Sequence, residues 1–130
     1  MTPSNIPFGK QWMADYFAMV DKRDIDEMLT WYEDGASFRF ASQEPALGKA
    51  AIQAALELFY ALITDMRHEQ TGAWADEGSG AFEAIAHFTT MQGTVLRLPA
   101  VSTMRVRGGL ISDFRFVMDA APIMEDAEPR

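Results

Sequence analysis

Proton transfer near neutral pH is the chemistry that this chain's residue types allow, and few residues could perform it. Imidazole is the group whose unperturbed pKa lies in that range; the 130-residue chain has two histidines, His68 and His87, and no cysteine. The missing thiol removes disulfides, thiolate zinc sites and thiol nucleophiles together. Neither histidine has a second ligand at the i, i+4 spacing of a zinc helix, so no metal and no cofactor is expected. Tyr16 adds a hydroxyl that can donate to a carbonyl or a developing oxyanion, and Asp119 adds a carboxylate late in the chain. The Gly108-Gly109 pair matches no phosphate-loop pattern and reads as a hairpin turn.

The elements that must position these groups follow from hydrophobic period. After Pro7, residues Trp12, Met13, Tyr16, Phe17 and Val20 recur at helical spacing and give one apolar stripe. Asp24 and Glu27 resemble a capping box that opens a second helix with Ile25, Met28, Leu29 and Tyr32 on its inner face, ended by Gly35. A short strand is expected at 37–40. Gly48 then leads into a third helix whose Ile52, Leu56, Phe59 and Ile63 share a face. Strand-like segments follow near 68–76, 81–91, 94–107 and 110–119, separated by short Gly-bearing turns that can join only antiparallel neighbours. Pro99 inside the longest segment predicts a bulge or an edge. The pattern is α+β, with three N-terminal helices packed in the concave face of a curved, mainly antiparallel sheet.

Alternate residues of a strand share a face, which assigns the pocket. Phe114, Phe116 and Met118 face inward in the last strand, as do Ala100, Ser102, Met104 and Val106 in the one before. Along 81–91 the same comparison turns Ile85, His87, Thr89 and Met91 inward and Phe88 outward. His87 then faces the cavity beside Tyr16, either as the group that moves a proton or as a histidine satisfied by Tyr16, Ser102 or a water. Trp12, Phe40, Phe59, Met104, Phe114 and Phe116 converge as a hydrophobic wall, with Thr89 and Ser102 as its polar ligand-binding groups. His68, at the exit of the third helix, is expected to cap carbonyls. Asp119 falls on the outer parity and reaches the pocket only through a bulge or by ending its strand.

Three tracts carry a family resemblance: Tyr16 through Asp24-Ile25-Asp26 to Tyr32-Glu33-Asp34-Gly35-Ala36, then Gly48-Lys49-Ala50-Ala51-Ile52, then Arg105 to Ile111. They resemble the nuclear transport factor 2-like superfamily, and within it the SnoaL-like relatives of polyketide cyclases and ketosteroid isomerases. The resemblance implies a cone-shaped, cystatin-like roll. It aligns Tyr16 with the oxyanion-stabilising tyrosine of the steroid isomerases. It also aligns Phe40 with their general-base aspartate and Ser102 with their protonated aspartate, so both carboxyls are missing and steroid-type isomerisation is argued against. In SnoaL-like cyclases an acidic residue near Asp119 serves as base. The superfamily hosts enzymes and binding modules alike, so fold does not settle activity.

Length fits one domain over 1–130, with residues 122–130 read as a loose acidic tail. A net charge of -8 repels phosphate backbones and anionic headgroups, and no apolar run reaches the roughly 18 residues of a membrane span. Neither nucleic acid nor membrane is expected as a partner, and the cytoplasm is the default location. The outer sheet face, carrying Phe88, Val101, Thr103, Arg105, Arg115 and Val117, predicts a homodimer in which arginines meet acidic residues such as Asp113. The expected partner in the pocket is a small, largely apolar organic ligand bearing a carbonyl or a ring. The chain is read either as a cofactor-independent cyclase, isomerase or dehydratase, or as a noncatalytic module whose pocket is filled by its own Phe and Met side chains.

Overall fold

The computed structural model describes residues 5–128. Helix α1 (Lys10–Val20) buries Trp12, Met13, Tyr16, Phe17, Met19 and Val20, the stripe expected from its spacing. Arg23 takes a left-handed φ of 57° just past its end, and this reversal starts α2 (Ile25–Leu29) at once. The side chain of Asp24 accepts a hydrogen bond from the Glu27 backbone N–H at 3.2 Å and caps that helix.

Helix α2 is shorter than expected, because Tyr32 opens strand β1 (Tyr32–Phe40). Gly35 lies inside a bulge of that strand rather than at a helix end. Strand β2 (Ala46–Leu47) pairs against β1, and α3 (Lys49–Tyr60) follows. The remaining strands are β3 (Ile63–Asp76), β4 (Ser79–Thr90), β5 (Val95–Arg107) and β6 (Leu110–Met118). They form one six-stranded sheet in the order β2-β1-β6-β5-β4-β3, antiparallel except where β1 runs parallel to β6. Ile63 therefore starts a strand instead of ending a helix. Of residues 122–130, expected as loose tail, 122–127 belong to helix α4 (Ala121–Ala127), seated by buried Ile123, and 129–130 lie outside the described residues. Pro99 pairs with Ile85 on β4, but the β5–β6 ladder begins only at Ala100, so on that side its missing N–H lies beyond the end of β6.

The parity expected for β4 is reversed. Phe82, Ala84, Ala86, Phe88 and Thr90 are the buried set, while Ile85, His87 and Thr89 lie on the outer face. The cause is the turn at Gln92-Gly93. A two-residue connection would oppose odd positions of β4 to even positions of β5. Instead Thr90 donates to and is bracketed by Thr94, with Met91, Gln92 and Gly93 between them and Gly93 at φ 85°, the three-residue loop that ends in a left-handed residue. One additional residue moves every side chain of the strand to the opposite face. Inward alanines then leave room for aromatic rings from the helices.

Phe82 uses that room, stacking on Phe17 of α1 at a centroid distance of 4.2 Å. This contact joins the first helix to the middle of the sheet. Phe82→Ala is expected to cost about 3–5 kcal/mol, the range for truncating a fully buried phenylalanine; urea unfolding followed by tryptophan fluorescence measures it.

Candidate active site

Strand β3 carries the group that matters most. Its pairing with β4 shifts by one residue between Gln70 and Gly72, a bulge that leaves Thr71 without an opposite number. Beyond the bulge Trp74 pairs with outward-facing Ala81, whereas before it His68 pairs with inward-facing Ala86. The bulge thus turns His68 into the cone, and the expectation that it caps the third helix is corrected. Its side chain is only 3% exposed.

Asp21, at the C-cap of α1, clasps His68 twice. One carboxylate oxygen accepts the His68 backbone N–H at 3.0 Å and the other lies 2.6 Å from Nδ1. A carboxylate has only acceptors to offer, so Nδ1 carries a proton, and in the neutral imidazole Nε2 presents its lone pair. Nε2 is buried and has no hydrogen-bond partner among the described residues. An acceptor left in that state costs about 1–3 kcal/mol. A carboxylate at a helix C-terminus is also disfavoured by the helix dipole. Both features oppose stability.

The cavity beside this imidazole is about 40 Å³ and is lined by His68, Tyr16, Phe17, Tyr60, Phe114 and Phe116 among others. Tyr16 and Tyr32 share a buried hydroxyl–hydroxyl hydrogen bond of 2.5 Å. That bond consumes one of their two O–H protons, so one remains to donate elsewhere. Tyr60 donates to the sulfur of Met28 at 3.1 Å. Burial raises the pKa of all three phenols well above the ordinary range, which keeps them as neutral donors. No lysine or arginine lines this space.

Of the expected site residues, the structure brings together Tyr16, Phe40, Phe59, Phe114 and Phe116 around the cavity. Trp12, Ser102 and Met104 are buried but lie outside its lining; Trp12 stacks on Tyr16 with ring planes 5° apart. His87 and Thr89 are not brought to it. His87 Nε2 pairs with Glu69 Oε1 at 2.8 Å on the outer face, and this partner lowers the Glu69 pKa. Asp119 is exposed and accepts the Ala121 backbone N–H at the start of α4. Sequence reasoning missed Asp21, Tyr32, Tyr60 and the inward turn of His68. The one available signal was that Asp21 is an acid where a helix end favours a base.

The architecture matches a known class. The model of the SnoaL-like domain matches residues 13–114, and the chain belongs to that family, within the nuclear transport factor 2-like superfamily. Similar solved structures include a candidate polyketide cyclase from Xanthomonas campestris pv. campestris, at 15% identity and TM-score 0.80, covering 91% of this chain and 95% of the other. A Catenulispora acidiphila protein with a ketosteroid isomerase-like fold, in complex with trimethylamine, has 15% identity and TM-score 0.80 over 94% of this chain and 100% of its own. TerC co-crystallised with polyporic acid has 17% identity and TM-score 0.77 over 88% and 94%. At such identities the likeness fixes the fold alone. A comparison with curated proteins gives no match.

All three tyrosines of the chain are these buried phenols. Unfolded phenols ionise near 10 and the folded ones well above it. The unfolded chain therefore binds fewer protons than the folded one above pH 10, and stability that is complete below that pH falls as the pH rises past it. Phenolate absorbance at 295 nm is expected to appear only together with loss of the near-ultraviolet circular dichroism signal, in one cooperative alkaline transition.

Proposed function

We propose that the chain catalyses proton abstraction next to the carbonyl of a small, largely apolar molecule, as a cofactor-independent cyclase, isomerase or dehydratase. The observation that carries this reading is the Nε2 lone pair of His68, buried at the cavity wall while Asp21 holds the opposite side of the ring. In the reaction, Nε2 takes the proton from carbon and the C–H electron pair moves into the carbonyl, forming an enolate. Asp21 stabilises the imidazolium, and the free hydroxyl proton of the Tyr16–Tyr32 pair donates to the enolate oxygen. The proton is then returned to carbon or to a leaving oxygen. Phe40, which stands where steroid isomerases have their base, lines the same cavity; here the base comes from β3 instead.

A second reading, a noncatalytic binding module, is favoured by one fact. The cavity of about 40 Å³ is far below the roughly 300 Å³ at which small-molecule pockets begin, and Phe and Met side chains make up much of its lining. The homodimer belongs to the same proposal. The outer sheet face exposes Val117 and Trp74, although two of the arginines expected to reach across are engaged within the chain: Arg115 with Asp113 at 3.2 Å and Arg107 with Glu33 at 2.7 Å.

Two measurements decide these points. Exchange of the α-protons of 2-tetralone, an easily enolised ketone, followed by proton NMR in D2O, should be accelerated by the protein. His68→Ala should reduce that acceleration by about 10²–10⁴-fold, the usual contribution of a general base. Tyr16→Phe should reduce it without abolishing binding. No acceleration by the wild-type protein selects the binding module. In sedimentation velocity, Val117→Glu should convert a dimer to monomer; a wild-type chain that sediments as a monomer removes the dimer.

A further inference from the structure

The small chamber is continuous in its walls with a larger space. A cleft of about 330 Å³ opens between β1, α3 and the last helix, and Phe38, Phe40, Leu56 and Phe59 line both it and the chamber. Phe40 and Phe59 stand 4.7 Å apart, centroid to centroid, and form the partition. The two spaces differ in kind. The chamber holds His68, Tyr16 and Tyr60 but has room for only about two or three waters, or one carbonyl group. The cleft has room for a small molecule, yet Gln43 is its one polar lining side chain. Neither contains a lysine or arginine.

We infer that the ligand is an uncharged amphiphile, with a single carbonyl or hydroxyl end that enters the chamber and an apolar body that lies in the cleft between β1, α3 and α4. This rests on the proposed role of His68 and adds the substrate class and its orientation. A carboxylate or phosphate is rejected because its charge finds no cation there and meets Asp21 behind the imidazole. Helix α4 supplies one wall of the cleft through Met124, and its position is held by the Thr94 hydroxyl donating to Asp126 at 2.6 Å and by the Gln92 amide donating to the Asp126 carbonyl. The rim side chains Leu58 and Met124 are 75% and 45% exposed, the exposed apolar surface that the ligand body would cover. Passage into the chamber requires Phe40 and Phe59 to rotate apart.

The test uses 2-alkanones from six to ten carbons and the carboxylates of the same lengths, titrated calorimetrically, with the His68 ring signals followed by NMR. Affinity for the ketones is expected to rise about fourfold per methylene, the value of roughly 0.8 kcal/mol for each buried CH2, with the His68 signals shifting throughout. Carboxylates of equal length should bind at least tenfold more weakly. Leu58→Glu and Met124→Glu, at positions exposed enough to tolerate charge, should each weaken the ten-carbon ketone more than the six-carbon one. Three results overturn the inference: affinity independent of chain length, equal binding of ketones and carboxylates, or chain-length dependence without any movement of the His68 signals. Failure of the proton-exchange reaction leaves these binding results unchanged, so loss of catalysis and loss of this ligand geometry are separable.

Discussion

The clasp between Asp21 and His68 is the constraint on which the rest of the site depends. It ties the C-terminal end of α1 to the fifth residue pair of β3, and so fixes how the first helix sits in the cone. The same two contacts set the imidazole tautomer: a backbone N–H on one oxygen orients the carboxylate, and the other oxygen then holds the Nδ1 proton. The ring is kept from turning by Phe17 at 4.8 Å and Phe116 at 6.0 Å, centroid to centroid. Together these contacts hold the imidazole in the chamber wall. An imidazole held by both a partner and its packing is already oriented, the pre-organisation on which the proposed proton transfer relies.

The tyrosines complement this arrangement through their neutrality. No lysine or arginine lines that chamber to balance an ionised phenolate, and burial makes that state costly for Tyr16, Tyr32 and Tyr60 alike, with Arg23 offsetting only part of it at Tyr60. Paired hydroxyls also solve a local problem. A lone buried phenol needs an acceptor, whereas two phenols satisfy one another and still retain a donor for a guest. The aromatic walls serve the same end, because rings of the size of Phe114 and Phe116 exclude water and raise the worth of every remaining hydrogen bond.

The fold was legible in the sequence because it is written in periods: the stripe of α1, the Asp24 cap, the even positions of β5 and β6 and the Gly108-Gly109 turn lie where the spacing puts them. The site was not, and the reasons are countable residues. One additional residue in the Met91–Gly93 loop turned β4 over, taking His87 outward and Phe88 inward. One unmatched residue, Thr71, turned the inner half of β3 over and brought His68 inward. Each strand mixes apolar and polar residues on both faces, so hydrophobicity does not decide between parities that differ by one. Tyr16 needed no parity, since it sits on a helix whose stripe is unambiguous, and Phe40, Phe59, Phe114 and Phe116 were found for the same reason: large rings contrast strongly with their neighbours.

The two single-residue shifts are coupled, and this bears on how such a fold changes its chemistry. β3 and β4 are hydrogen-bonded partners, so an inward face on one requires an inward face on the other at each paired position. His68 opposes Ala86, and Met66 opposes Phe88; were β4 in the other register, the residue opposite His68 would have to leave the cone or His68 would. The imidazole reaches the chamber because both irregularities are present. Small alanines on β4 then make space for it, and for the Phe17 ring beside it. Phe40 on β1 and His68 on β3 are separated by three strands yet line one cavity, so the curvature of the sheet, not strand adjacency, brings the two side chains to it.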